Sequence, residues 1–126
     1  QMPHSWGGTK LGKTLLARSF GNHSYFNDLF NLSAFSDGCR YAVFDDLSRG
    51  LRSINYKGWL GGQHEFTCTD KYAKKRRIIW GRPCIYICNN DPFKTESPAY
   101  VNLEWLRGNS ITVEIKSPLC NLANDD

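Results

Sequence analysis

A chain of 126 residues has room for one hydrophobic core and not for two. Apolar residues make up 40% and charged ones 22%, which is enough to bury a core and excludes wholesale disorder. No apolar run approaches the roughly 20 residues that cross a bilayer, so no membrane partner is expected. The opening Gln1-Met2-Pro3-His4 has neither a basic nor an apolar stretch of the kind a signal peptide carries, so a soluble chain or one domain excised from a longer one is expected. The net charge of +4 is concentrated: five of the 16 basic residues fall in the seven residues 71–77, and the other 11 face 12 acidic ones.

In chain order, residues 14–20 (Thr-Leu-Leu-Ala-Arg-Ser-Phe) have helical composition and stop at Gly21-Asn22. Residues 40–44 (Arg-Tyr-Ala-Val-Phe) read as a short apolar strand ending at Asp45-Asp46. Residues 56–60 read as the end of a helix closed by Gly61-Gly62. The β-prone runs 65–69 and 76–80 flank the basic segment and predict a hairpin with a basic tip. Residues 83–88 (Pro-Cys-Ile-Tyr-Ile-Cys) form a continuous apolar run of the kind buried on both faces, and residues 110–115 alternate as a last strand. The tail 121–126 is polar and expected to fray. Helices interleaved with apolar strands predict an α/β layered domain with a largely parallel sheet.

Five cysteines (Cys39, Cys68, Cys84, Cys88 and Cys120) form no Cys-x-x-Cys pair, and no histidine sits at zinc spacing from two of them. They read as reduced, structural residues of an intracellular protein. His4, His23 and His64 have no partner at catalytic or metal spacing. Trp6, Trp59, Trp80 and Trp105 read as packing residues.

The residues with a recognisable chemistry begin at Gly7. Gly7, Gly8, Thr9, Lys10, Leu11, Gly12, Lys13 and Thr14 fit G-x-x-x-x-G-K-[ST] at every required position. Glycines let backbone N–H groups curl around phosphate oxygens, and a following helix offers its N-terminal donors. In that role Lys13 neutralises the β- and γ-phosphates and Thr14 Oγ ligates Mg²⁺; without ligand, Lys13 is expected to face solvent. Such a site needs an acid at the end of a neighbouring strand, and Asp45-Asp46 stands 31 residues beyond Thr14. With the phosphate loop, Asp45 reads as the metal acid and Asp46 as the residue polarising the attacking water; alone, the pair is a turn opening. Asn89-Asn90 follows the apolar run 83–88. Asn89 at such a strand end can reach a γ-phosphate and the lytic water, and the same residues also fit an Asn-Asn-Asp-Pro turn. The basic run 71–77 fits a solvated turn, a nuclear localisation signal, or a nucleic-acid contact with Tyr72 for stacking.

Taken in order, these segments resemble the helicase part of replication-initiator (Rep) proteins from small circular single-stranded DNA viruses, genomovirus and geminivirus Reps above all. Gly-Gly-Thr-Lys-Leu-Gly-Lys-Thr looks like their Walker A motif, and Phe44-Asp45-Asp46-Leu47 looks like Walker B. Trp59-Leu60-Gly61-Gly62-Gln63-His64-Glu65-Phe66, continuing to Lys71-Tyr72-Ala73-Lys74, is similar to the B′ motif, and Ile87-Cys88-Asn89-Asn90-Asp91-Pro92 resembles motif C. The resemblance runs from about residue 3 to residue 119. It implies a single domain over residues 1–126 with a layered P-loop NTPase (AAA+-like) fold: a superfamily 3 helicase that uses ATP and Mg²⁺ and assembles into a hexameric ring on single-stranded DNA in the host cell nucleus. It also implies that Lys71, Tyr72, Lys74 and Lys75 lie at the DNA-gripping hairpin tip and that Asn89 is the sensor. Arg107, 18 residues past Asn89, becomes the candidate trans-acting arginine, with packing or surface exposure as the alternative.

The chain departs from the family pattern in its short first strand, where only Met2 to Trp6, with Pro3 and His4 among them, lead into the Gly7 loop. Nothing in residues 1–126 resembles the family's nicking domain or most of its ring-forming helical segment, so for these residues by themselves a monomer or weak oligomer is expected. Two functions follow: an ATP-hydrolysing DNA motor, or a nucleotide-dependent DNA-binding and oligomerisation module with negligible turnover. A small-molecule kinase ranks third, because nothing resembles an acceptor lid.

Overall fold

The computed structural model of the protein describes residues 2–7 and 12–115. Its elements in chain order are β1 (Met2–Gly7), α1 (Lys13–Ala17), β2 (His23–Asn27), a 3-10 turn (Leu32–Ala34), β3 (Tyr41–Asp45), a second 3-10 turn (Leu51–Ser53), α2 (Tyr56–Leu60), β4 (Glu65–Thr69), β5 (Lys75–Ile79), β6 (Cys84–Cys88), α3 (Pro92–Thr95), α4 (Leu103–Asn109) and β7 (Ser110–Ile115). Five strands pair in the order β2-β3-β6-β1-β7, and every pairing is parallel. β4 and β5 form a separate antiparallel hairpin. The mixed α/β architecture with a parallel sheet agrees with the sequence reading.

The parallel order collects all five strand C-termini along one edge of the sheet. β3 and β6 lie inside it, and all five residues of β3 are buried, as a continuous apolar run in a doubly covered strand requires. The short β1 also lies inside, paired with β7 from Met2 to Gly7 and with β6 from His4 to Trp6.

Strand alternation divides β3 between two faces. Ala42 and Phe44 join the main core with Phe26, Trp59, Phe66, Ile78 and Trp80. Tyr41 and Val43 point the other way, under Ala17 of α1, with Ile87 and Tyr25 beside them. Trp59 is fully buried and meets Phe26, Phe30, Phe35, Phe44, Phe66 and Trp80 with ring centroids 4.8–6.2 Å apart. The described cysteines, Cys39, Cys68, Cys84 and Cys88, form no disulfide with one another. Burial pushes Cys68 and Cys88 up to about 12, so both are neutral at ordinary pH. Cys120 and the tail 121–126 lie outside the described residues.

Several expectations need correction. The first helix spans Lys13–Ala17 and ends three residues before Phe20, because the Leu16 carbonyl is taken by both the backbone N–H and the hydroxyl of Ser19. The strand expected at 40–44 runs Tyr41–Asp45, so Asp45 is its last residue and not the start of a turn. The second hairpin strand is Lys75–Ile79, one residue earlier than expected. β2, α3 and α4 are additional elements; α3 and α4 are started by Asp91 and Asn102 side chains that accept from the Phe93 and Trp105 amides.

Candidate functional site

Gly12, with φ of 78°, turns the chain into α1 and delivers Lys13 and Thr14 to the C-terminal edge of the sheet. Gly8, Thr9, Lys10 and Leu11 lie outside the described residues; Gly7 ends β1. Lys13 is only 7% exposed, which corrects the expectation of a solvent-facing side chain. Its Nζ donates to the Cys88 carbonyl at 3.0 Å and to Asn89 Oδ1 at 3.5 Å, so the lysine reaches across to the end of β6. Burial lowers its pKa, and the negative charges of Asp45 and Asp46 oppose that shift.

Thr14 Oγ1 donates to Asp45 Oδ2 at 2.7 Å. The carboxylate is 9% exposed and lies on the face that α1 covers, since Asp45 shares the parity of Tyr41 and Val43. Asp46 follows in a left-handed conformation, φ 52°, with its N–H on the Ile87 carbonyl and its side chain exposed. That twist turns Asp46 away from Asp45, toward a cavity of about 450 Å³ lined also by Asn89, Asn90, Arg49, Arg52 and Tyr86. The structure therefore assembles Lys13, Thr14, Asp45 and Asn89 at one sheet edge, with Asp46 and Asn89 sharing the adjoining cavity. Arg107 is not in this assembly: from α4 its guanidinium lies 4.6 Å from the Phe93 ring centroid.

Tyr25 is a site residue the sequence reading missed. Its hydroxyl donates to Asp45 Oδ2 at 2.5 Å, and its pKa is raised by burial first and by the Asp45 carboxylate second. It stands on β2 opposite Val43, on the same sheet face as Asp45. An aromatic hydroxyl in residues 23–27 carries no local motif; only the parallel pairing of β2 with β3 brings it to Asp45.

The oxygen donors suit a hard divalent cation. Among the described residues no cluster of three or more His, Cys, Asp or Glu side chains exists, so an all-protein metal cage is not formed there. The Thr14 hydroxyl and the Asp45 carboxylate fit Mg²⁺, which takes one or two protein oxygens and completes its shell with water and phosphate.

The basic hairpin is built by an acid. Asp70 follows directly on β4 and its carboxylate accepts from the backbone N–H groups of Leu32 (3.0 Å), Tyr72 (2.9 Å) and Lys74 (3.1 Å). Burial alone would raise its pKa, but those three donors and the Lys74 charge hold it below the usual carboxylate range. The tip closes with Ala73 at φ 62°, and Lys71 N–H donates to the Phe30 carbonyl at 2.8 Å. Of the five cations in residues 71–77, two are committed: Arg76 Nη2 donates to both Asp37 carboxylate oxygens, and Arg77 pairs with Glu65. Lys71, Lys74 and Lys75 are exposed and have no carboxylate in ion-pair range among the described residues. Tyr72 is 63% exposed, with Lys71 Nζ 5.0 Å from its ring centroid. Lys75 is the first residue of β5 rather than part of the turn.

No family model matches the chain. It is 38% identical over 108 residues to the replication-associated protein of Tobacco yellow dwarf virus (strain Australia), a match that takes in 84% of this chain and 31% of that protein. It is 33% identical over 110 residues to the replication-associated protein of Chloris striate mosaic virus, covering 86% of this chain and 30% of that protein. The replication-associated protein of Cabbage leaf curl virus (isolate Jamaica) is 29% identical over 126 residues, with 90% and 35% covered. The chain thus spans about a third of the length of the viral replication proteins it resembles.

Proposed function

We propose that this chain is the ATP-hydrolysing motor domain of a viral replication-initiator protein that works by rolling-circle replication, a superfamily 3, AAA+-like helicase domain translocating on single-stranded DNA. The observation that carries the reading is the meeting of Lys13, Thr14, Asp45 and Asn89 at the C-terminal edge of a parallel sheet. Crevices at such edges are where ligands bind in open α/β folds. The similarity to viral replication-associated proteins supports it.

In this reading Lys13 exchanges the Cys88 carbonyl and Asn89 amide for the β- and γ-phosphate oxygens of ATP. The buried ammonium is suited to that exchange, because a phosphate carries full negative charge and the Cys88 carbonyl and Asn89 amide do not. Gly7, Gly8, Thr9, Lys10, Leu11 and Gly12 form the phosphate loop. Thr14 and Asp45 hold magnesium, which when bound offsets the charge on the transferring phosphoryl group. Asp46 orients the attacking water from the exposed side of the cavity. Asn89, released by Lys13, directs its amide to the γ-phosphate and that water. Lys71, Lys74 and Lys75 grip the DNA backbone and Tyr72 stacks on a base. Arg107 acts on a neighbouring copy in a hexameric ring, and the host nucleus is where the protein works.

The test is the ATPase rate with and without single-stranded DNA, together with DNA affinity. A DNA-stimulated rate that requires Mg²⁺ supports the motor. DNA and nucleotide binding with no turnover assigns the other function, a nucleotide-dependent binding and oligomerisation module. Absence of nucleotide binding refutes both.

A further inference from the structure

Asp45 receives two hydroxyls on one oxygen. Thr14 Oγ1 and Tyr25 Oη both donate to Oδ2, at 2.7 and 2.5 Å. A carboxylate oxygen has about two lone-pair directions, so Oδ2 is fully used and Oδ1 keeps the capacity to meet an ion or its water. The two donors are not equivalent. Thr14 belongs to the phosphate-loop motif, and its oxygen has a lone pair to offer magnesium while its O–H donates to Asp45, so its position is tied to the ion and the loop. Tyr25 has no such second task.

Resting on the ATPase reading, we infer that Tyr25 is the positioning residue of the magnesium site. It fixes the rotation of the Asp45 carboxylate so that Oδ1 is left for the ion, and it does so from the sheet, independently of the phosphate loop and its ligand. The ring is well held for this. It stands on a strand in parallel register with β3, and the Arg18 guanidinium lies 3.9 Å from its centroid. Arg18 is itself fixed, donating from Nε to His23 Nε2 at 3.1 Å. That bond leaves the proton of the imidazole on Nδ1, 2.8 Å from the Gly21 carbonyl it donates to. The chain of support thus runs from the backbone at Gly21 through His23, Arg18 and Tyr25 to the metal acid. Partners of this kind, one shell out from a metal ligand, typically contribute 10- to 100-fold in affinity or activity.

The test uses the full chain and the variant Tyr25→Phe, which keeps the ring and its Arg18 stack and removes only the hydroxyl. Binding of a fluorescent ATP analogue is measured in EDTA and across a Mg²⁺ titration, with thermal melting as the control for folding. The expected result is unchanged affinity in EDTA and a Mg²⁺ midpoint raised by about 10-fold. In an Asp45→Asn background, Tyr25→Phe should add nothing further, because Tyr25 acts through that carboxylate. A purely structural tyrosine would lower the melting temperature and leave the Mg²⁺ midpoint where it was; that outcome overturns the inference, as does an equal loss in the Asp45→Asn background. If wild-type nucleotide binding itself shows no response to Mg²⁺, the ATPase reading fails and takes this inference with it, a result separable from the other two.

Discussion

Replacing Lys71, Lys74 and Lys75 together by alanine tests the hairpin, and the structure determines how large the effect should be. Of the five cations in residues 71–77, Arg76 and Arg77 are paired with Asp37 and Glu65, which leaves three lysines free to release counterions from DNA. Each phosphate contact on a single strand contributes about 0.7 to the slope of log affinity against log salt, so losing three lowers the slope by about 2. Over a fourfold rise in salt that corresponds to about 20-fold less salt sensitivity in the variant. Fluorescence anisotropy with a labelled single strand, titrated from 50 to 200 mM salt, reads it directly. The loss should be uniform across DNA sequences, because phosphate contacts carry no base information. Arg76→Ala with Arg77→Ala should change the slope much less, since those charges are already matched inside the protein. Equal slopes for wild type and the triple lysine variant would remove the hairpin from the DNA site. An equal fall for the arginine pair would refute the division between free and committed cations.

Lys13→Ala should abolish ATP hydrolysis and also lower the melting temperature, because the side chain is buried and bonded to the end of β6; a near-native rate refutes the phosphate-loop assignment. Asp45→Asn should weaken the Mg²⁺ dependence of nucleotide binding, whereas Asp46→Asn should spare binding and stop turnover, as their separation by the left-handed turn at Asp46 requires; equal binding defects refute the split. Asp70 has a lowered pKa when folded, so its contribution is complete above the ordinary aspartate value of about 3.9 and is lost as pH falls through the lower folded value. Acid titration followed by tryptophan fluorescence should show that loss in wild type and a flatter profile for Asp70→Asn, and identical profiles would count against it.

How much of this was legible in the sequence depends on the range of the interactions. β3 and β6 were readable because both carry a continuous apolar run, Tyr41 to Phe44 and Cys84 to Cys88, and β4 was readable because its alternation is local. Thr14 and Asp45 were readable as a motif and a strand end, and the fold brings them to 2.7 Å. β2 was not, since His-Ser-Tyr-Phe-Asn gains its strand character from register with β3. Without β2, neither Tyr25 nor its bond to Asp45 could be foreseen. The burial of Lys13 was misjudged for the same reason: its acceptors lie 75 and 76 residues away in the chain. The role of Asp70 was not legible because one of its three donors, the Leu32 amide, lies 38 residues away in the chain.

The seam between α2 and the hairpin is closed at Gly58, where even one added carbon would stand 2.5 Å from the Phe66 ring. Phe66 in turn lies edge-on to Trp59, which also meets Phe26 and Phe44 of the main sheet. A two-strand ribbon by itself is marginal in water. Its shape is therefore borrowed from the sheet across a shared aromatic layer, and the two should melt as one cooperative unit. A peptide cut from residues 65–79 would not reproduce the tip. Conversely, a pull applied at Lys71 or Lys74 is delivered not to a hinged arm but to a rigid ring stack, and through it to the strand that ends in Asp45.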